Sequence, residues 1–418
     1  MLAANPWTTW AIAAAAAAGV IVRPFSWPEW VWATAGAALL VLLGLLPPAD
    51  ATAGVAKGMD VYLFLVGMML LAELARQQGL FDWLAARAAR MARGSGTRLF
   101  TLVFLVGTAV TAVLSNDATA VVLTPAVAAV AKAARAEKPL PYLFTCAFIA
   151  NAASFVLPIS NPANLVIYGA HMPPLLAWLP RYALPSLLSI AATYAVLRWT
   201  QRADLHDVSV DIEVPGLSGA GRVAAWGIAG TAAVLLASSA FGIQLGLPTF
   251  LAGAATAVLV LWRAGTGPGA VLKAVSWGVL PLVAGLFVLV EALERTGVTR
   301  HLADLLHVLV EHSATDAAWA AGLVLAFGCN LVNNLPAGLV AGRVAELADL
   351  PERVRAAVLI GMDLGPNLSV TGSLATILWL TALRREGIQV GAWQFLKLGA
   401  LVMPPALLAA LAGCLAFG

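Results

Sequence analysis

The chain has few charged residues for its length. Charged side chains make up 11% of its 418 residues, whereas soluble domains carry about 25%. A soluble globule of this length would need far more polar surface, so the composition excludes the soluble classes. The formal net charge of +3 is small and the basic residues are scattered, which argues against a nucleic-acid partner.

Cysteine and histidine are also scarce. The three cysteines, Cys146, Cys329 and Cys414, lie in apolar runs without metal-ligand spacing, which excludes a disulfide scaffold. The five histidines fall mainly in loops and form no metal-binding pattern, so we expect neither a metal nor a cofactor. They are His171, His206, His301, His307 and His312.

Hydrophobic residues dominate what remains. They form 61% of the chain and raise the mean hydropathy to +0.89, which predicts a multi-pass membrane protein. The first apolar run has no basic segment before it, so we interpret it as a retained span and not as a cleaved signal. Apolar segments long enough to span a bilayer lie at roughly 7–22, 29–46, 61–78, 142–170, 175–198, 222–240, 245–263, 275–293, 354–384 and 393–417.

Four polar clusters interrupt the apolar runs. The sequences S-N-D at 115–117 and N-N at 333–334 separate shorter apolar pairs, and S-N-P-A-N at 160–164 and T-G-S at 371–373 break two overlong segments. Polar groups are costly at membrane depth and persist where they line a site. Broken apolar segments at matching places in two halves are typical of a transporter binding site. The pattern therefore predicts transport of a small solute.

The basic residues indicate how the chain threads the membrane. Five arginines lie in 76–98 and three basic residues in 132–138, and the positive-inside rule places both segments on the cytoplasmic side. The segment 98–135 must therefore enter and leave by one face, as a re-entrant hairpin. Threading the rest gives a second hairpin at 316–348, based on the outer face, with both termini outside. The pattern at 80–93 predicts an amphipathic helix on the cytoplasmic surface, or a linker helix without membrane contact.

Each half then contains five crossings and one hairpin, and an odd number of crossings inverts the second half. We expect an all-α polytopic membrane protein with two inverted-topology repeats, about ten transmembrane helices, two re-entrant hairpins and two broken helices. Sliding the second half of the sequence onto the first places Asn334 on Asn116. The expected domains are a first repeat at 1–200 (hairpin 98–135, broken helix 142–170), a linker at 201–221, and a second repeat at 222–418 (hairpin 316–348, broken helix 354–384).

Four stretches are similar to motifs of one transporter family. The chain resembles the ArsB-type arsenite/antimonite efflux permeases of the ion-transporter superfamily. This resemblance implies proton-driven extrusion of trivalent arsenic and antimony across the inner (cytoplasmic) membrane of a bacterium, in some cases with a soluble ArsA-type ATPase. A sodium/proton antiporter and an organic-anion carrier of the same superfamily are the alternatives. The stretches are S-N-D-A-T-A-V-V-L-T-P at 115–125, S-N-P-A-N-L-V at 160–166, N-N-L-P-A-G-L-V at 333–340 and D-L-G-P-N-L-S-V-T-G-S-L-A-T-I-L-W-L at 363–380.

The polar clusters suit arsenite as a substrate. At neutral pH arsenite is an uncharged trihydroxide, which needs short hydrogen-bonding groups and no arginine clamp, and the clusters contain neither Arg nor Lys. The alternative is that these residues cap the broken helices and touch no substrate. The candidate substrate-binding residues are Ser115, Asn116, Ser160, Asn161, Asn164, Asn333, Asn334, Thr371, Gly372 and Ser373.

Proton coupling requires an ionisable group within the membrane. Asp117 and Asp363 are the candidates because each lies in or beside a break in an apolar run. Alternatively, Asp363 caps free backbone donors and Asp117 braces the hairpin. Cys329 is a secondary candidate for a thiol contact to arsenic, against burial as a small apolar side chain. A membrane-embedded enzyme that pairs the two aspartates is the rival from another functional class.

Overall fold

The computed structural model describes residues 6–169, 172–209 and 213–416. Within these ranges helices alternate with short connections, and no strand occurs. His171 and residues 210–212 of the expected linker lie outside the described residues. The helices up to residue 200 are α1 (Pro6–Val22), α2 (Glu29–Leu42), α3 (Pro48–Lys57), α4 (Met59–Gln77), α5 (Leu80–Ala92), α6 (Gly96–Val113), α7 (Asn116–Ala118), α8 (Thr124–Ala133), α9 (Leu140–Ala152), α10 (Pro162–Tyr168) and α11 (Leu175–Thr200).

The second part of the chain is helical in the same way. A π-helical turn at Thr119–Leu123 joins α7 to α8, so these three pieces form one continuous arm. The remaining helices are α12 (Gly219–Ala240), α13 (Gly246–Ala264), α14 (Gly269–Ala274), α15 (Val279–Arg295), α16 (Val298–His312), α17 (Ala314–Val332), α18 (Asn334–Leu347), α19 (Glu352–Leu364), α20 (Leu374–Arg385) and α21 (Ala392–Ala416).

Serine caps mark where several long helices begin. The hydroxyl oxygen of Ser95 accepts a hydrogen bond from the amide of Arg98 at the start of α6. Ser218 and Ser313 accept equivalent bonds at the starts of α12 and α17. Each serine satisfies one of the backbone donors that the first turn of a helix leaves free. These helices therefore begin at polar residues that stand between apolar runs.

Length and apolar character identify candidate membrane spans, and these include α6 and α17, the first arms of the two expected hairpins. Among the described residues, six helices qualify on both counts: α6, α11, α12, α13, α17 and α21. Helices α3 and α4 qualify together but are bent by 47° at their junction. This agrees with the expected all-α polytopic class. The expected set of about ten spans contains α11, α12, α13 and α21 but assigns α6 and α17 to the hairpins. It also counts shorter apolar helices, among them α1, α2 and α9.

Two helices lie where the sequence analysis expects connections. Helix α3 lies along α15 and is tied to it by ion pairs from Asp50 to Arg295 at 2.7 Å and from Lys57 to Glu291 at 2.6 Å. A search for apolar runs overlooks such a helix because its charges are paired in the tertiary structure. Helix α16 is amphipathic, and it buries only Thr299 and Ala303.

The amphipathic helix expected at 80–93 is present as α5. It buries seven residues and leaves Arg87 and Arg90 exposed. Its apolar face packs on α6 and α8. The arginines therefore face outward from a helix that is anchored on protein.

Small residues allow the helices to approach closely. Helix α4 packs along α13, α11 along α21, and α17 along α19. A Cβ atom added at Gly253 of α13 would lie 2.8 Å from the carbonyl oxygen of Gly67 in α4, and one at Gly322 of α17 would lie 3.0 Å from that of Ala357 in α19. Lipid provides little hydrophobic drive for helix association, so close backbone packing of this kind stabilises the bundle.

The order of elements recurs along the chain. Helix α5 begins at Leu80 and α16 at Val298, and α6 begins at Gly96 and α17 at Ala314. In each of these two pairs, the second helix begins as many residues after the first as Asn334 lies after Asn116. A polar turn and a second arm follow in both halves. Next come a helix of 13 residues, an irregular break and another helix: α9 and α10 in the first half, α19 and α20 in the second. The long helices α11 and α21 end the two halves.

Candidate functional site

Two helix breaks position most of the predicted polar residues. The first separates α9 from α10 and the second, with a 3₁₀ turn at Gly365–Asn367, separates α19 from α20. The side-chain oxygen of Asn161 accepts from the amide of Ala163 at 3.0 Å, and the hydroxyl oxygen of Ser373 accepts from the amide of Thr376 at 3.1 Å. These caps restart each helix within the buried part of the protein.

The polar turns at 115–117 and 333–334, which we call the hairpin tips, are docked on these breaks. In the first half the amide of Asn116 donates to the carbonyl oxygen of Ser160 at 3.0 Å. In the second half the amide of Asn334 donates to the carbonyl oxygen of Gly372 at 2.8 Å. In each half the tip asparagine is the first residue of its helix. Its backbone amide donates to the residue that precedes the capping residue of the adjacent break.

The two tips, the first break and the start of α20 line a small cavity. Its polar lining consists of Asn116, Asp117, Asn161 and Asn334, and its apolar lining includes Val283. None of its described lining residues is basic. The volume is about 30 Å³, enough for one or two water molecules. The structure thus brings together polar residues from both halves of the sequence.

The tip asparagines direct uncommitted groups towards this cavity. Asn116 Oδ1 accepts from the amide of Asp117 at 2.9 Å. Among the described residues, neither the side-chain NH₂ group of Asn116 nor the side-chain amide of Asn334 makes a hydrogen bond, and no cation pairs with Asp117. Buried amides without partners lose free energy. These groups are therefore available to a ligand.

The other predicted binding residues hold the breaks and tips in shape. Asn164 Nδ2 donates to the carbonyl oxygens of Ser154 at 3.0 Å and Pro158 at 3.3 Å, within the first break. Ser160 Oγ donates to the carbonyl of Ala112 at 2.9 Å. Ser115 caps the tip helix in the first half, and in the second half Asn333, Thr371, Gly372 and Ser373 bond to one another or to neighbouring turns.

The two predicted proton-coupling residues are placed differently. Asp117 lines the cavity. Asp363 is connected to the cavity through Asn161, which lines it: Asn161 Nδ2 donates to Asp363 Oδ1 at 2.8 Å. Asp363 Oδ2 has no hydrogen-bond partner among the residues that the structure describes, although Asp363 is only 1% exposed. Asn161 therefore connects the cavity to a buried carboxyl group with one unused oxygen.

The comparison with known proteins decides the family. The sequence profile of the CitMHS family, described as a citrate transporter, matches residues 14–384. The chain belongs to this family. The arsenical pump membrane protein of Yersinia enterocolitica is 29% identical over 371 residues, covering 83% of this chain and 84% of the relative. That of Escherichia coli K12 is 28% identical over 410 residues, covering 91% of both. The crystal structure of the Alcanivorax borkumensis YdaH transporter has a similar fold, with a TM-score of 0.54 at 19% identity, covering 87% of this chain and 85% of that one.

Membership of the CitMHS family places the chain among integral membrane transporters and not among enzymes. The rival hypothesis of an intramembrane enzyme with a carboxylate pair is therefore rejected. In the structure Asp117 and Asp363 form no hydrogen bond with one another, and Asn161 takes the contact to Asp363.

A polar cluster that was not among the predicted site residues joins the two breaks of this CitMHS transporter. Asn151 Nδ2 donates to Asn367 Oδ1 at 3.0 Å, and Ser373 Oγ donates to Asn151 Oδ1 at 3.2 Å. Asn367 Nδ2 in turn donates to the carbonyl of Phe148 at 3.0 Å. An asparagine inside the apolar run 142–170 was the available signal, because such a residue needs a partner at membrane depth.

Cys329 does not reach the cavity. Its thiol is buried and lies 3.7 Å from the carbonyl oxygen of Met362, to which it donates. Among the described residues, no group of three or more His, Cys, Asp and Glu side chains could hold a metal ion. Burial as a small apolar side chain accounts for this cysteine.

Proposed function

We propose that this CitMHS protein is a secondary active transporter that extrudes arsenite and antimonite across the bacterial inner membrane by proton antiport. The observation that carries the proposal is the cavity at the tips, which is lined by three asparagine side chains and, among the described residues, by no basic one. Uncharged trihydroxides of trivalent arsenic and antimony offer several O–H donors and oxygen acceptors to such amides. The relatives named arsenical pump membrane proteins support the same substrate class.

An organic-anion carrier is the second candidate, because the matching family is described as a citrate transporter. Citrate brings up to three carboxylates, and their burial requires cations or several positioned donors. In this cavity the charged neighbour is Asp117, whose carboxylate would repel an anion. The site therefore favours the neutral metalloid hydroxide over citrate.

Proton coupling is assigned to Asp363 and Asp117. A buried carboxylate without a cation costs several kcal/mol, and a proton removes this cost. None of the described residues hydrogen-bonds Asp363 Oδ2, so this oxygen can hold that proton without loss of the bond from Asn161 to Oδ1. Asn161 both lines the cavity and donates to Asp363, so it connects the substrate site with the proposed proton site.

Alternating access is the transport mode we infer. The cavity of about 30 Å³ has room for one or two water molecules, so the tips and the breaks would have to move apart to admit a larger solute. The recurrence of helices between residues 6–200 and 219–416 supports two inverted repeats joined at 201–221, with hairpins at 98–135 and 316–348. Inverted repeats of this kind bind substrate at their interface and open alternately to the two sides. A soluble ArsA-type ATPase, where one operates, would dock on the cytoplasmic face that carries α5.

Everted membrane vesicles test this proposal directly. Vesicles containing the full chain should accumulate arsenite and antimonite when their interior is acidified, because protons leaving the vesicle drive uptake. Vesicles without the chain, and loaded vesicles without a pH gradient, are the controls. Gradient-driven accumulation of citrate or sodium without arsenite would overturn the proposal in favour of the organic-anion carrier or the sodium/proton antiporter.

A further inference from the structure

Asn151 and Asp363 occupy the same position in two matching helices. Helices α9 and α19 each have 13 residues, and these two residues are the last but one in each. Each helix is followed by a break and by a capping residue, Asn161 before α10 and Ser373 before α20. Asn151 and Asp363 are separated in sequence by the same distance as Asn161 and Ser373.

The contacts of these residues cross between the halves in the same way. Asn161, the cap of the first break, donates to Asp363 Oδ1 at 2.8 Å. Ser373, the cap of the second break, donates to Asn151 Oδ1 at 3.2 Å. In both contacts the side chain that caps one break binds the helix end that precedes the other. Position 151 is thus the counterpart of position 363 in sequence, secondary structure and bonding.

The two positions differ in their second polar atom. In Asn151 the Nδ2 group is committed: it donates to Asn367 Oδ1 at 3.0 Å and to Thr376 Oγ1 at 3.4 Å. No described residue hydrogen-bonds the Oδ2 atom of Asp363, and the hydroxyl of its neighbour Ser154 donates to the backbone oxygen of Asn151 at 2.7 Å. Both residues are at most 1% exposed. The chain therefore places a neutral, fully bonded amide at one position and a carboxyl group with a vacant oxygen at the other.

We propose that positions 151 and 363 are two equivalent places at which the transporter can hold a buried proton. The amide of Asn151 cannot take up a proton, so the protein is limited to one buried proton at this pair of positions. The proposal rests on the proposed proton coupling through Asp363. An aspartic acid at 151 reproduces the donor to Asn367 only while it carries its proton. Without the proton, two oxygen atoms face each other where an N–H group now donates. The surroundings of position 151 therefore favour the protonated form of an aspartic acid placed there, as a proton-binding site requires.

A swap of the two residues tests this equivalence. The full-length chain and its variants are purified into liposomes whose membrane potential is clamped, and arsenite uptake is followed under an imposed pH gradient. Asp363→Asn should lose at least 90% of the gradient-driven accumulation. Asn151→Asp combined with Asp363→Asn should regain a third or more of it. The matched control combines Asn330→Asp with Asp363→Asn. Asn330 is a nearby amide that donates to the carbonyl oxygens of Ala326 and Gly365, and its position is not equivalent to that of Asp363. This control should not regain gradient-driven accumulation.

The number of coupled protons provides a second measurement. The equilibrium accumulation ratio changes about tenfold per pH unit for each proton. Asn151→Asp alone should raise this dependence by one proton, to about a hundredfold per pH unit if the parent moves one. A folded swap variant without rescue, together with an unchanged proton number in Asn151→Asp, would overturn the inference. Normal coupling in Asp363→Asn would instead refute the proposed role of Asp363 itself.

Discussion

The backbone amide of Asn334 donates to the carbonyl oxygen of Gly372 at 2.8 Å. This bond ties the second hairpin tip to the second break, and the bond from Asn116 to Ser160 does the same in the first half. The cavity between the tips therefore depends on backbone contacts that a substitution at the break can disturb. Gly372 is the residue at which this dependence is easiest to examine.

Replacement of Gly372 by alanine should abolish transport. A Cβ atom there would lie 2.8 Å from Asn330 Oδ1 and 3.0 Å from the Cβ of Pro366, so the break must shift and the bond to Asn334 is lost. Overpacking of this kind lowers the free energy of unfolding by about 1–3 kcal/mol. Arsenite uptake and thermal unfolding in detergent measure the two effects.

Gly328→Ala is the matched control for that substitution. Gly328 lies in α17, and an added Cβ would meet no atom within 4 Å. Alanine in a helix interior is favoured over glycine by about 0.5–1 kcal/mol, so this variant should be as stable as the parent or more so, with transport retained. Equal activity of Gly372→Ala and Gly328→Ala would show that the tip contact is dispensable.

The asparagines should separate into two classes when each is changed to alanine. Asn116→Ala and Asn334→Ala remove groups that face the cavity and should reduce arsenite uptake at least tenfold with little loss of stability. Asn164→Ala leaves buried carbonyl oxygens of the first break without their donor and should lower stability by about 1–3 kcal/mol. Uptake and thermal unfolding are measured on the same preparations. Normal uptake by both tip variants would reduce the tips to structural caps.

Most helices were predictable because their apolar runs are long and end at polar residues. The pair of short segments around 115–117 and the broken run at 142–170 also have local signals, since amides and prolines interrupt hydrophobic sequence. Helix α3 has no such signal, because Asp50 and Lys57 find partners on α15 only in the folded protein. Apolar periodicity carries no information about tertiary ion pairs.

The sequence predicts which polar clusters contribute to the site but not how their side chains are arranged. Sequence reasoning selected Asn116, Asn161 and Asn334, which line the cavity, and equally Asn164, which does not. Nothing local distinguishes an amide that faces a cavity from one that holds a loop, because both avoid lipid for the same reason. Asn151 was overlooked since its side-chain partners lie in the other half of the chain.

The two aspartates should differ in how strongly they affect coupling. Asp363→Asn preserves shape and hydrogen bonding but cannot release a proton, so everted vesicles with an acidic interior should no longer concentrate arsenite, while downhill exchange continues. Asp117→Asn should show the same defect if both acids carry protons, and a milder one if Asp117 only braces the tip. Intravesicular pH and arsenite content are followed together. Full proton-driven transport in the double variant would exclude both residues as proton carriers.

The proposed inversion of the two halves can be tested with helices α5 and α16, which occupy corresponding places in the order of helices. Corresponding helices of inverted repeats lie on opposite faces of a membrane. A cysteine that replaces the exposed Arg90 of α5 should react with an impermeant maleimide only from the cytoplasmic side, and one that replaces the exposed His307 of α16 only from outside. The three native cysteines are buried, so the parent chain should give little background and serves as the control. Labelling of both positions from one face would show that the halves are not inverted, and the assignment of the two hairpins to opposite sides would have to be abandoned.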